Sequence, residues 1–90
     1  MNLHEHARQL VWEWHSRRTS LEPSIRMNSY EEKQAIGLTY DLLARGMAEA
    51  TFWRAFRDLR GLPGFGWTSV TCLCRRANNL MPRHLQRTDL

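Results

Sequence analysis

Leu3, Ala7, Leu10, Val11 and Trp14 fall at i, i+4, i+7, i+8 and i+11, one apolar stripe at helical period. That pattern predicts a helix over residues 3–18. Trp12 sits about 160° round the helix from Trp14, on the polar side with Glu5, Arg8 and His15. Either a second element covers it or it faces a partner. TSLEPSIRMNS (19–29) carries turn chemistry around Pro23 and reads as a connection. Ser29 and Glu32 then match a capping box, with Ser29 as N-cap. The helix they open runs to about Arg45 and is expected to bury Ile36, Tyr40 and Leu43. Gly37 within it suggests close packing by a neighbour. Gly46 is placed for a left-handed C-cap or a tight turn.

A third helix is predicted from about Ala48 to Arg60, with Gly61 as its stop. LPGFG (62–66) cannot continue it and punctuates the chain. Residues 67–81 fit two patterns. Val70, Cys72 and Cys74 alternate as in a strand, whereas Val70, Leu73, Ala77 and Leu80 fit a helix capped by Thr68 or Ser69. The longer pattern favours the helix. Pro82 ends it, and RHLQRTDL reads as a mobile basic tail. Ninety residues make one domain. The expected fold is all-α: a compact bundle of about four helices over 1–81, with 82–90 as a flexible tail.

Composition sharpens this. An apolar fraction of 42% supports a packed core. The formal charge of +4 is unevenly placed: residues 50–90 hold seven arginines against Asp58 and Asp89. A basic half of this kind suits a polyanionic or acidic partner. Twelve of the thirteen basic residues are arginine, with Lys33 the exception. Arginine's planar fork matches phosphates and guanine edges, although a coding bias towards arginine gives the same composition. No apolar run approaches the roughly 20 residues needed to cross a bilayer, and the N-terminus lacks a basic region followed by an apolar one. A cytoplasmic protein without membrane contact is expected, with Cys72 and Cys74 as reduced thiols.

On the third helix, Phe52, Phe56 and Leu59 fall on one side with Trp53 flanking them, and Ala50, Thr51, Arg54, Arg57 and Asp58 fall on the other. Thr51, Arg54 and Arg57 have the chemistry to reach base edges, and Arg60, Arg75 and Arg76 to grip phosphates. Arg83 and Arg87 extend the positive field. A solvated face carrying an Arg54–Asp58 pair at i,i+4 explains the same residues without a ligand. LLARGMAEATFWRAFRDLRG (42–61) resembles the helix-turn-helix unit of DNA-binding proteins. Gly46 takes the turn position, Met47 the apolar residue after it, and Glu49 to Arg60 the helix that enters the major groove. The sequence departs from that family in two places: Arg45 stands where an apolar residue is usual, and Leu42 where a small alanine is usual. The resemblance implies a DNA-binding transcriptional regulator that acts as a homodimer, for which Trp12 would supply a contact.

The same residues fit a second class, a small helical adaptor or inhibitor that binds a protein. A phage- or plasmid-encoded factor that blocks a host machine would have this make-up, and Trp12, Trp53 and Trp67 would then carry the contact. Metal binding finds no support in spacing. His4 and His6 point to different helix faces, His4 and His15 lie three turns apart, His84 stands alone, and Cys72–Cys74 lacks a second pair. No motif places a nucleophile beside a base, and no glycine-rich loop cradles a phosphate, so neither enzymatic activity nor a cofactor is expected.

Overall fold

The first helix begins where Asn2 caps it. Its side-chain Oδ1 accepts the Glu5 N–H at 2.8 Å and its carbonyl accepts the His6 N–H at 3.0 Å. The computed structural model describes residues 2–21, 26–60 and 70–90, and places four helices among them. These are α1 (Leu3–Leu21), α2 (Ser29–Ala44), α3 (Glu49–Arg60) and α4 (Val70–Leu80), followed by a 3₁₀ turn at Arg83–Leu85. The all-α bundle is therefore observed. One hydrophobic cluster draws side chains from all four helices, with α2 lying on both α1 and α4, and α3 on α4.

Helix α1 buries Ala7, Leu10, Val11 and Trp14 as expected, while Leu3 remains exposed at the helix start. It also runs three residues past the predicted end at residue 18. Residues 19–21, read from the sequence as the start of the connection, continue the helix, and the Thr19 hydroxyl donates to the Ser16 carbonyl at 3.0 Å. Arg18 extends the buried stripe by one more turn: its guanidinium lies 4.4 Å over the Trp14 ring, and one Nη donates to His15 Nδ1 at 2.9 Å.

In α2 the sequence reading is one residue out at the cap and in part of the core, where Leu43 is buried as expected. Asn28, not Ser29, is the N-cap: it is extended (φ −82°, ψ 173°) and its side chain accepts the Glu31 N–H at 2.8 Å. The buried positions are Ala35, Thr39, Leu42 and Leu43. Ile36 is only half-buried, and Tyr40 is 42% exposed. The side of α2 that packs on α1 and α4 is therefore rotated from the one the apolar pattern indicated, with Ala35 and Thr39 at its centre. The Thr39 hydroxyl, fully buried, lies 3.9 Å from Cys74 Sγ across that seam. Gly37 faces outward, where an added Cβ would meet nothing within 4 Å, so it serves no close approach.

Gly46 fulfils its expected role. It adopts φ +104°, and its N–H reaches the Leu43 carbonyl at 3.0 Å while Met47 N–H reaches that of Leu42, also at 3.0 Å. This pair of bonds is a Schellman motif, which closes α2 and turns Met47 into the core, where it is 5% exposed. Arg45 is the C-cap, exposed and paired with Asp41 at 3.3 Å, which explains why an arginine is tolerated there.

Residues 70–80 are helical, as the longer pattern indicated. Val70, Leu73, Cys74 and Ala77 are buried, and the strand alternation fails because Cys72 is exposed. Burial pushes the Cys74 thiol up to about 12, so it stays protonated as a core residue. The expected caps Thr68 and Ser69, the stop at Gly61, the LPGFG punctuation and Trp67 lie outside the described residues. Residues 82–90, read from the sequence as a mobile tail, are placed against α4 and α2. Asn78, buried in α4, donates to the Arg87 carbonyl and accepts the Arg87 N–H, both at 2.8 Å. The Arg87 guanidinium meets Asp41 at 2.9 Å and Asp89 at 2.8 Å.

Two stability predictions follow from this packing. Gly37→Ala should stabilise the protein by about 0.5–1 kcal/mol, since alanine gains helix propensity in open space; urea denaturation measures it, and a loss of stability would mean a neighbour does approach Gly37. His15 is the second. Desolvation, then the charges of Arg18 and Arg26, hold its pKa below the ordinary 6.5, against the opposing pull of Glu31 and Glu32. The unfolded chain therefore binds this proton more readily, so stability falls as pH drops through 6.5 and levels off once the folded His15 is protonated as well. His15→Asn keeps an acceptor for Arg18 without a titrating ring. It should lose less stability than the wild type between neutral and mildly acid pH in the same urea assay.

Candidate nucleic-acid interface

Helix α3 owes its orientation to the Schellman turn before it and to the aromatic side it buries. Phe52 and Phe56 are buried, and Leu59 and Trp53 half-buried. The Trp53 ring meets Phe52 edge-on at 5.0 Å and Phe56 at 5.8 Å. Its indole N–H donates to Glu49 Oε1 at 3.4 Å, and the other Glu49 oxygen lies 3.1 Å from His6 Nε2 on α1. The Arg17 guanidinium of α1 lies over the Trp53 ring at 4.1 Å. These contacts fix the α1–α3 spacing and leave an open groove of about 650 Å³ between the two helices.

Arg17, Arg54, Arg57 and Arg60 line that groove around Trp53, Phe56, Ala50 and Ser20. Three of the predicted site residues are thus brought together, joined by one that the sequence reading passed over. Arg54, Arg57 and Arg60 are exposed, and no ion pair engages them among the described residues. Arg17 pairs with Glu13 at 2.7 Å. A signal for Arg17 did exist. It lies three residues beyond Trp14 and seven beyond Leu10, so it flanks the apolar stripe of α1, beside whichever helix packs there.

The other predicted residues are placed differently. Thr51 is half-buried, and Arg75 is exposed on α4 but does not line the groove. Arg76 lies beside α3, yet its guanidinium is taken by Asp58, with Nε at 3.1 Å and Nη2 at 2.7 Å from one carboxylate oxygen. The expected Arg54–Asp58 pair is therefore replaced by a contact between helices. The Arg76 hydrogen bond holds the Asp58 carboxyl below its usual range, with the charges of Arg76, Arg54 and Arg57 acting the same way against desolvation. Asp58 stays ionised and neutralises Arg76, while Arg54 and Arg57 make no ion pair among the described residues.

Trp12 stands apart from this face. It is 49% exposed, with no element folded over it among the described residues. No group of three or more His, Cys, Asp or Glu among those residues could hold a metal ion. None of the described helices is long and apolar enough to cross a membrane. Comparison of the chain with protein-family models, curated proteins and solved structures finds no match.

Proposed function

We propose that this chain is a small DNA-binding protein of helix-turn-helix type, a transcriptional regulator that presents α3 to a duplex. The observation that carries the reading is the outer face of α3. Arg54 and Arg57 are exposed there without an ion-pair partner among the described residues, on the helix that follows a glycine turn with a buried Met47. Asp58 attracts both at longer range but is hydrogen-bonded to Arg76, so the exposed guanidinium groups of this row still repel one another. Phosphates would relieve that repulsion. Arg60 extends the same row, whereas Arg76, neutralised by Asp58, contributes little to it. Arg75 adds charge from α4, and Thr51, half-buried, supports the helix more than it reads a base.

Exposure of Trp12 favours a second reading, in which the chain binds a protein, either a second copy of itself or the target of an inhibitor. A tryptophan half open to water is a frequent anchor of such contacts.

Titrating duplex DNA against salt tests the first reading. The wild type should show a steep negative slope of log K against log salt, and Arg54→Ala/Arg57→Ala should lower that slope by about 2, near 0.9 per lost phosphate contact. Absence of binding at low salt would remove it. Sedimentation of wild type and Trp12→Ala tests the second reading in its homodimer form. A dimer that becomes a monomer on substitution identifies Trp12 as the contact, and equal masses count against it.

A further inference from the structure

Helix α3 alone does not make the groove; α1 forms its other wall. Arg54, Arg57 and Arg60 are three residues apart, and each step of three turns the helix by about 300°. The row therefore winds round α3 from its outer face towards α1, ending on the side where Arg17 and Ser20 stand. Arg54 to Arg60 covers about 9 Å of helix axis. A nucleic-acid strand presents one phosphate per ~3.4 Å of its own axis, so the row spans two or three successive phosphates.

Arg17 is built into this arrangement. Its guanidinium carbon lies over the Trp53 ring, 4.1 Å from the centroid, and Trp53 is itself held by Phe52, Phe56 and Glu49. This contact restrains the fork before any ligand arrives, which lowers the ordering cost of each hydrogen bond it makes. Glu13 occupies the fork at 2.7 Å, but both side chains are about half exposed, so the pair is weak and exchangeable. An incoming phosphate, also anionic and better matched to the fork, can take that place.

On this basis, and resting on the DNA-binding reading above, we infer that the α1–α3 groove seats a phosphodiester backbone. Arg17 of α1 is then a phosphate ligand alongside Arg54, Arg57 and Arg60, and Glu13 is its competitor. Ser20, on the same wall, supplies a neutral hydroxyl for a further phosphate oxygen. The interface thus belongs to two helices, and α1 carries part of the affinity that the sequence assigns to α3 alone.

The experiment is the salt titration of duplex DNA with Arg17→Ala, Arg17→Lys and Glu13→Gln, each checked for wild-type helicity by circular dichroism. Arg17→Ala should lower the slope by about 0.9, one phosphate contact. Arg17→Lys should retain the slope, because it keeps the charge, and bind more weakly at every salt concentration, because the fork over Trp53 is gone. Glu13→Gln should bind more tightly than the wild type. If Arg54→Ala/Arg57→Ala weakens binding while Arg17→Ala leaves slope and affinity unchanged, the α1 contact is overturned and the α3 reading stands. If the wild type does not bind duplex at all, both fall. A poly-glutamate of matched charge that binds as tightly as DNA would show that the groove accepts an acidic polypeptide, and would overturn the phosphodiester assignment.

Discussion

The turn at Gly46 is the constraint on which the arrangement depends. Only a residue free to adopt φ +104° lets the Met47 N–H reach back to the Leu42 carbonyl and close α2 within one residue. That reversal drives Met47 inward and sets α3 so that Phe52 and Phe56 enter the core. Because the aromatic side is then committed, Arg54 and Arg57 have nowhere to point but outward. The C-terminal segment reinforces the same corner. Leu85 packs within 3.4 Å of where a Gly46 Cβ would stand, and Arg87 ties Asp41 from the far side. Any side chain at residue 46 would strain the backbone and crowd Leu85 as well.

Most of the fold was legible because helical periodicity is written in large apolar side chains. The stripe of α1, the extent of α3, the turn glycine and the helix after residue 70 all follow from it. The misreadings of burial share one cause. Periodicity counts residues by hydropathy, and three cases run against it. Arg18 behaves as an apolar residue because its stem and guanidinium cover Trp14. Thr39 is fully buried because its hydroxyl finds Cys74. Ile36 and Tyr40, large and apolar, stay partly outside because α2 turns Ala35 and Thr39, one position earlier, into the core. Asn78 adds a fourth case, an amide buried in α4 because it holds both backbone groups of Arg87.

The candidate site was legible on one helix and only faintly so across two. Residues 54, 57 and 60 share a row that a helical wheel displays directly. Arg17 is remote in sequence, and nothing in the α3 segment announces that Trp53 will lie beneath it. Arg76 shows the converse. Its proximity to α3 is real, but proximity to Asp58 came with it, and a pairing between helices depends on a crossing geometry that one-dimensional spacing does not encode.

Net charge is consequently a poor guide to where positive charge is concentrated on this protein. The excess of arginine over carboxylate in residues 50–90 suggests a field spread over the whole C-terminal half. In the fold, Asp58 neutralises Arg76, while Asp41 and Asp89 take up Arg87. Pairing of this kind at Å range removes those charges from the distant field, since each pair presents only a dipole beyond about a Debye length of ~10 Å. Arg75 and Arg83 stay exposed and outside any ion pair among the described residues, but three of the remaining arginines, Arg54, Arg57 and Arg60, face one open groove with Arg17 across it. A concave wall of low polarity behind them, Trp53 and Phe56, focuses that part of the field into the groove. The acidic residues narrow the positive field by cancelling Arg76 and Arg87, and the fold gathers three of the arginines that remain.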